Sequence, residues 1–252
     1  MKSKKRYFLE LAYHGAGYHG WQVQPNAHSV QQELNEKLSI LLREAIYVVG
    51  SGRTDTGVHC AQQFAHFDTS ASQIDVKNLC RRLNAFLPND IAIRQVIPVK
   101  PDAHARFNAL SRVYEYKLTS YKSPLMPGLV YFLPKRLHLD AMNQAAALLL
   151  NYQDFQAFCK THTETKTYLC QIEQAFWRQE GELLIFRIKA NRFLRGMVRL
   201  ITGALLEVGT GNLSVIDFEY LINGRKQDGD RKTVPALGLY LTEVAYPHEI
   251  FL

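Results

Sequence analysis

Cysteine is scarce in this 252-residue sequence, and its four cysteines are not grouped. They are Cys60, Cys80, Cys159 and Cys170. None belongs to a Cys-x-x-Cys pair, the spacing typical of zinc ribbons and of redox motifs. The nine histidines also lack the spacing of a metal site. We therefore expect reduced thiols, structural histidines, no metal and no other cofactor.

Long apolar runs are absent as well. The longest, such as residues 145–150, are far shorter than the roughly 20 residues of a membrane-spanning helix. The basic residues 1–6 are followed by an apolar stretch that Glu10 interrupts, without a small-residue cleavage site, so they do not resemble a secretory signal. The sequence therefore predicts a cytoplasmic protein.

A nucleotide-hydrolysing loop is also missing, because the glycine-rich residues 50–57 contain no lysine of the Gly-Lys-Ser/Thr type. Acidic residues are the minority, with 23 Asp and Glu against 30 Lys and Arg, which gives a net charge of +7. This balance favours a polyanionic partner such as a nucleic acid. A hydrophobic content of 47% in a chain of this length predicts a globular protein with a real core.

Hydrophobic periodicity predicts a first mixed unit. Residues 7–13 alternate as in a half-buried strand, and apolar residues with helical spacing follow a capping box of Ser29 and Gln32. Two strands at 46–49 and 62–68, a helix capped by Asp75 and a strand at 91–97 come next. The order β-α-β-β-α-β is that of a split βαβ or ferredoxin-like unit.

The same order then recurs. The predicted elements are a strand at 112–119, a helix at 139–150 begun by Asp140, a hairpin of 170–178 and 182–190 about Gly181, helices at 193–208 and 215–222, and a strand at 239–245. The sequence therefore predicts an α+β fold of two tandem ferredoxin-like units, residues 1–103 and 104–252, with antiparallel sheets side by side and a basic cleft between them. The loop at 224–232, mixed in charge, is predicted to be a mobile surface loop.

Residues 50–60, Gly-Ser-Gly-Arg-Thr-Asp-Thr-Gly-Val-His-Cys, set an arginine and an aspartate among three glycines directly after an apolar run. Glycine adopts positive φ without steric cost, so the stretch predicts a turn that presents Asp55. Arg53, two residues away, is placed to keep this carboxylate ionised as a nucleophile or base. The alternative is a hairpin in which the two residues form a surface ion pair.

The string Gly-Arg-Thr-Asp-x-Gly-Val-His at 52–59 resembles the signature of the tRNA pseudouridine synthase A family. Further blocks resemble the family in the same order, at 13–22, 104–107, 112–116, 193–199 and 235–239. The resemblance covers the whole chain and implies the same fold. It also implies an isomerase that converts uridine to pseudouridine at positions 38, 39 and 40 of the tRNA anticodon stem-loop and works as a homodimer.

The resemblance also implies roles for single residues. Asp55 takes the place of the catalytic nucleophile, and Arg199 takes that of an arginine that pairs with it. Tyr114 corresponds to a tyrosine that stacks on the uracil, and its hydroxyl could assist proton removal from C5. Its neighbour Tyr116 fits a packed strand tyrosine better. Arg53 resembles an arginine associated with the flipped nucleotide. Whether Asp55 attacks C1′ of the sugar or C6 of the base stays open.

Further cations are candidates for tRNA phosphates. Arg192, Arg195 and Arg199 gather on one side of the predicted helix 193–208, opposite its apolar residues. Lys189 and Arg187 on the preceding strand extend the positive surface, which would hold RNA in a salt-dependent manner. The alternative for this set is a solvated basic face.

The sequence leaves two alternative functions, an RNA-binding protein without activity and a glycosidase. A catalytically silent RNA-binding protein of two ferredoxin-like units would use aromatic residues on its sheet, but the expected Lys/Arg-Gly-Phe/Tyr aromatic strand is absent. A glycosidase with an aspartate nucleophile would need a second carboxylate as its acid, and no such residue is recognisable.

Overall fold

The structure, a computed structural model, describes residues 4–160, 165–224 and 233–252. Apart from Gly224, the loop predicted at 224–232 lies outside these ranges. Within them the fold is mixed α+β, with five α-helices and mostly antiparallel strands, which confirms the predicted class. None of the helices in these ranges is long and apolar enough to cross a membrane.

The chain divides into two compact units. The first contains Met1–Leu110 and Leu241–Leu252, and the second contains Ser111–Tyr240. The last residues of the chain thus belong to the first unit. There Phe251 forms an isolated bridge with Val99, and Tyr246 packs edge-on against Phe8.

The first unit has the element order β-α-β-β-α-β that the periodicity predicts. Its elements are β1 (Lys5–Tyr13), α1 (Val30–Leu42), β2 (Val49–Gly50), β3 (His59–Thr69), α2 (Val76–Phe86) and β4 (Ile91–Pro98). Strand β1 is central and pairs antiparallel with β3 on one side and β4 on the other. The short β2 pairs antiparallel with β3. Buried apolar residues of β1, such as Phe8, Leu9 and Leu11, form the middle of the core.

Both predicted helix caps of this unit are present. The Ser29 side chain accepts a hydrogen bond from the backbone N–H of Gln32 at 3.3 Å, and Asp75 accepts one from Asn78 at 3.0 Å. The reciprocal half of the capping box is wrong, because in the described part of the chain the Ser29 N–H makes no bond to Gln32 Oε1; the Gln32 Nε2 donates to Glu36 at 3.0 Å. One side-chain bond therefore begins α1.

The predicted strand at 46–49 is shorter than expected. Only its last residue belongs to β2, although the chain keeps the alternation of buried and exposed side chains. Polar side chains of α1 bind the backbone of Ile46 and Val48 in place of a neighbouring strand, and so satisfy polar groups of these two residues. The bonds are Ile46 N to Ser39 Oγ (2.9 Å), Val48 N to Asn35 Oδ1 (2.8 Å) and Gln31 Nε2 to the Val48 carbonyl (2.7 Å).

The second unit follows the predicted order with one short strand added. Its elements are β5 (Ser111–Thr119), β6 (Tyr131–Phe132), α3 (Leu139–Leu148), β7 (Ile172–Glu180), β8 (Leu183–Ala190), α4 (Met197–Gly209) and α5 (Val215–Ile222). Strand β8 pairs antiparallel with both β5 and β7, and β6 pairs parallel with β5. The hairpin of β7 and β8 turns at Gly181, whose φ is 59°, as predicted. Strand β9 (Leu239–Ala245) begins in this unit and continues in the first.

Two helix boundaries in this unit were predicted wrongly. Helix α4 begins at Met197 and not at residue 193, because Gly196 has φ 71° and ψ 0°, a left-handed conformation that cannot continue a right-handed helix. Helix α3 has His138 at its N-cap, so Asp140 lies in the first turn and does not begin the helix. A 3₁₀ turn at 149–151 follows the last residue of α3.

His66 on β3 links the core of the first unit to the segment after β4. Its ring is 5% exposed, and its Nδ1 accepts a hydrogen bond from the Ala105 backbone N–H at 3.2 Å. Burial lowers the pKa of His66 to about 4, and the nearby Arg6 and His104 charges act in the same direction. The folded state therefore favours the neutral ring.

We expect His66 to make the protein less stable in acid. Its pKa is lower in the folded state than the ordinary 6.5, so this contribution is complete above pH 6.5 and is lost as the pH falls towards 4. The loss should be on the order of 1–3 kcal/mol in the free energy of unfolding, measured by urea denaturation across this range. His66→Gln keeps an acceptor for Ala105 and should show a weaker pH dependence; an unchanged dependence would contradict this account.

Candidate active site

Asp55 lies on the turn between β2 and β3, as the glycine pattern predicts. The turn closes with a hydrogen bond from the Val58 N–H to the Asp55 carbonyl at 3.2 Å, and Gly57 has φ 79°. Gly50 is required for another reason, because a Cβ there would lie 2.5 Å from the ring of Trp21. Positive φ thus explains one glycine of the turn, and close packing explains another.

The N-terminal block at 13–22 supports the turn along its backbone. The Trp21 N–H donates to the Thr54 carbonyl at 3.3 Å, and the Gly57 N–H donates to the Tyr18 carbonyl at 3.3 Å. The Gly15 N–H donates to Nδ1 of the buried His59 at 3.1 Å. Bonds on both sides of Asp55 therefore hold the turn against this block.

Glycines in the block allow this close approach. A Cβ on Gly20 would lie 2.3 Å from the Thr54 carbonyl oxygen, and one on Gly15 would lie 2.0 Å from that of Val58. Gly20 also has φ 84°, which disfavours any other residue. The spacing of glycines and aromatics in Tyr-His-Gly-Ala-Gly-Tyr-His-Gly-Trp thus reflects two backbones in contact.

The side chain of Thr54 anchors the turn to β1. Thr54 is 9% exposed, and its Oγ1 lies 2.8 Å from the hydroxyl of Tyr13, a buried residue at the end of β1. On either side of it, Arg53 is exposed and Asp55 is partly exposed. The turn is therefore fixed through Thr54, while the charged residues on either side of it keep exposed surface.

Gln63 on β3 holds the start of the turn. Its Oε1 accepts a hydrogen bond from the buried Ser51 hydroxyl at 2.6 Å, and its Nε2 donates to the Gly52 carbonyl at 3.2 Å. Sequence reasoning assigned no role to Gln63, Tyr13 or Thr54. Tyr13 and Thr54 lie in the family blocks at 13–22 and 52–59, whereas Gln63 lies in neither and no sequence signal points to it.

Tyr114 lies on β5 in the second unit, opposite Ile188 of β8. Its half-buried ring meets the Phe193 ring edge-to-face, with centroids 5.2 Å apart. Tyr116 is fully buried, its hydroxyl donates to the Pro235 carbonyl at 2.9 Å, and burial raises its pKa. The prediction that Tyr116 is the packed tyrosine of the pair is confirmed.

Arg199 lies in the first turn of α4 and is half-buried. Its Nε donates to the Val234 carbonyl at 2.8 Å, and the Val234 N–H donates to the Arg199 carbonyl at 3.4 Å. These bonds join α4 to the segment before β9. Arg192 and Arg195 lie before α4 begins, so the predicted basic face of one helix is wrong, and Arg199 is the member of the three that α4 carries.

Two predicted cations of β8 have acidic partners. The Lys189 ammonium lies 2.7 Å from the Glu173 carboxylate, and the Arg187 guanidinium lies 3.3 Å from that of Glu115. Such pairs reduce the positive charge that β8 offers to a phosphate. Among the residues that the structure describes, no group of three or more His, Cys, Asp or Glu side chains is placed to hold a metal ion.

The chain is similar over nearly its whole length to proteins of one enzyme family. Residues 11–108 and 145–247 match the family model described as tRNA pseudouridine synthase. The chain is 47% identical over 247 residues to tRNA pseudouridine synthase A of Parabacteroides distasonis, with 98% of each chain covered. It is 46% identical over 250 residues to the enzyme of that name from Bacteroides fragilis, with 99% of each covered.

A more distant relative gives the same result. The chain is 37% identical over 240 residues to tRNA pseudouridine synthase A of Caldicellulosiruptor bescii, covering 94% of this chain and 98% of the relative. The segments that match the family model include Asp55 and Arg199, whereas Tyr114 lies between them.

We expect the Tyr13 and Thr54 hydroxyls to stabilise the first unit jointly. Tyr13→Phe and Thr54→Val should each lower the free energy of unfolding by about 1–2 kcal/mol, because each leaves a buried hydroxyl without this partner. The double variant should lose clearly less than the sum of the two, as urea denaturation of all four proteins would show. Strictly additive losses would mean that the two hydroxyls are not coupled.

Proposed function

Because the chain belongs to the tRNA pseudouridine synthase family, we propose that Asp55 is the nucleophile of its reaction and that the turn between β2 and β3 is built to present it. The protein is an isomerase that converts uridine to pseudouridine in tRNA. The role of Asp55 is supported by the two contacts of Thr54, whose hydroxyl meets that of Tyr13 and whose carbonyl accepts from the Trp21 N–H. These contacts fix the turn, and the neighbouring Asp55 keeps part of its surface exposed.

The isomerisation of uridine needs only one carboxylate as its nucleophile. The C1′–N1 bond of uridine must break, the base must turn, and a C1′–C5 bond must form. C5 then loses its proton, and N1 gains one, so the reaction needs no oxidant or reductant. At C1′, a carboxylate oxygen of Asp55 would displace N1 and then be displaced by C5; at C6, it would add to the base and be eliminated after the C1′–C5 bond has formed.

We assign the remaining roles by the same family relationship. Tyr114 stacks on the uracil, and its hydroxyl assists removal of the C5 proton. Arg199 pairs with Asp55, and its bond to Val234 supports the role by restricting the guanidinium. Arg53 contacts the flipped nucleotide, and its exposure on the turn is consistent with that contact.

Binding of the tRNA is a separate task. We assign phosphate contacts to Arg192, Arg195 and Lys189. Lys189 must exchange Glu173 for a phosphate, so we expect the two arginines to contribute more.

The substrate region is the anticodon arm at positions 38, 39 and 40, and the enzyme works in the cytoplasm as a homodimer. Two ferredoxin-like domains, at 1–103 and 104–252, with sheets side by side and a basic cleft between them, stay a prediction.

We expect Asp55→Asn to abolish the reaction but to spare tRNA binding. Isomerisation of tRNA labelled with tritium at uracil C5 releases the label to water, and this release should fall by at least about a thousandfold. Affinity for tRNA should stay within about twofold, because many cations hold the phosphates. Asp102→Asn, at an exposed carboxylate of the same unit, is the control and should keep full activity.

The same assay separates the alternatives. A silent RNA-binding protein would release no tritium, and a glycosidase would free uracil without releasing the label from C5. Near-normal tritium release by Asp55→Asn would show that another group is the nucleophile.

Arg199 and Arg195 should differ in what they control. Arg199→Gln should slow the single-turnover rate at saturating enzyme, by roughly 10- to 1000-fold, with little change in tRNA affinity. Arg195→Gln should weaken affinity and reduce the slope of log K against log salt by about one, while the saturated rate is kept. If Arg199→Gln changed affinity alone, the residue would be a phosphate contact and not a partner of the nucleophile.

A further inference from the structure

Residues 104–107, His-Ala-Arg-Phe, follow β4 and have no role in the mechanism above. The ring of Phe107 is 74% exposed, in contrast to the buried phenylalanines of the same unit such as Phe8 and Phe67. Single exposed apolar residues are common on protein surfaces, so exposure alone indicates nothing. What distinguishes Phe107 is how firmly its surroundings hold it.

His104 holds Phe107 from its own turn. The two ring centroids are 4.3 Å apart, with an angle of 33° between the planes. The N–H groups of Arg106 and Phe107 both donate to Nδ1 of His104, at 3.1 and 3.4 Å. Asn108 closes the turn, since its side-chain oxygen accepts from the His104 N–H at 2.6 Å and its N–H donates to the His104 carbonyl at 3.0 Å.

The turn that contains His104 and Phe107 is itself anchored in the core of the first unit. The His104 ring meets the buried His66 ring with centroids 4.5 Å apart. Ala105, between His104 and Arg106, donates its N–H to His66 and accepts a hydrogen bond from the Tyr246 hydroxyl. An exposed aromatic ring is therefore fixed by contacts that reach the core, which restricts its motion before any partner binds.

The positive charge of Arg106 beside the Phe107 ring indicates which class of partner would bind here. The Arg106 guanidinium carbon lies 5.7 Å from the centroid of the Phe107 ring. Burial, with the charges of Arg6 and Arg106, lowers the pKa of His104, so its ring is neutral near pH 7 and can accept the two N–H bonds. The surface thus combines one rigid apolar ring and one positive charge. A protein partner of the usual kind needs a broader apolar area than this.

We propose that Phe107 and Arg106 form a stacking platform for an unpaired base of the tRNA other than the target uridine. An aromatic ring matches the face of any nucleobase, and the adjacent guanidinium matches the phosphate or the base plane. The base must be unpaired because paired bases in a helix do not expose their faces. The proposal depends on the function above only in that the substrate is tRNA.

The test compares tRNA affinities in the Asp55→Asn background, where no turnover interferes. Phe107→Ala should weaken binding roughly 5- to 150-fold, the range expected for loss of one stacked base. Phe107→Leu should weaken it comparably, whereas Phe107→Trp and Phe107→Tyr should keep it. Tyr47→Ala is the matched control, since Tyr47 is 76% exposed in the same unit, and it should bind within about twofold of the parent.

A second readout reports stacking directly. The chain has two tryptophans, Trp21 and Trp177, and both are buried. The Phe107→Trp variant therefore carries an exposed indole whose fluorescence should be quenched by a single-stranded anticodon-loop RNA but not by an RNA duplex of the same length. Quenching by both RNAs to the same extent would overturn the assignment to an unpaired base.

Other outcomes would also overturn the proposal. If Phe107→Ala bound tRNA as tightly as Tyr47→Ala, or Phe107→Leu bound as the parent does, no base stacks on Phe107. If Phe107→Ala changed the sedimentation of the protein without RNA, the ring would contact a second copy of the chain. Failure of the proposed function would look different, because the unaltered enzyme would then release no tritium from labelled tRNA.

Discussion

The approach of Gly20 to the carbonyl of Thr54 is the constraint on which the site depends. It leaves no room for a Cβ, and it lets the next residue, Trp21, donate its N–H to the same carbonyl. The Trp21 ring then covers Gly50 at the start of the turn, and Tyr13 reaches the Thr54 side chain from β1. The residue before the nucleophile is thus held by backbone and side chain together, and Asp55 gains its position from that contact.

The contacts that position Asp55 are different from the charged contacts that we propose for tRNA binding. The polar contacts that hold the turn are mostly buried, so salt should affect them little. The proposed contacts with tRNA, by contrast, come from cations that are exposed or partly exposed, such as Arg53 and Arg195, and salt should weaken them. Loss of a contact in the first group should slow the reaction, and loss of one in the second should weaken binding.

Much of this could be predicted from local signals, and what could not depends on distant contacts. The caps at Ser29 and Asp75 and the hairpin at Gly181 follow from residues close in sequence, so they were found. The strand at 46–49 shortened because side chains of α1 bind its backbone, which no periodicity reveals. Asp55 was identified through a family motif, but the reason for Gly50 in its turn is the ring of Trp21, which belongs to the distant N-terminal block.

The most direct test is the single-turnover rate of Gly20→Ala on tRNA, measured beside Gly211→Ala. Gly211 also has positive φ, 78°, but a Cβ there meets nothing within 4 Å, so this variant controls for backbone strain. We expect Gly20→Ala to fold and to bind tRNA within about twofold, yet to isomerise about a hundredfold more slowly, while Gly211→Ala keeps its rate. Equal rates for both variants would contradict the claim that the contact of Gly20 with Thr54 positions the nucleophile.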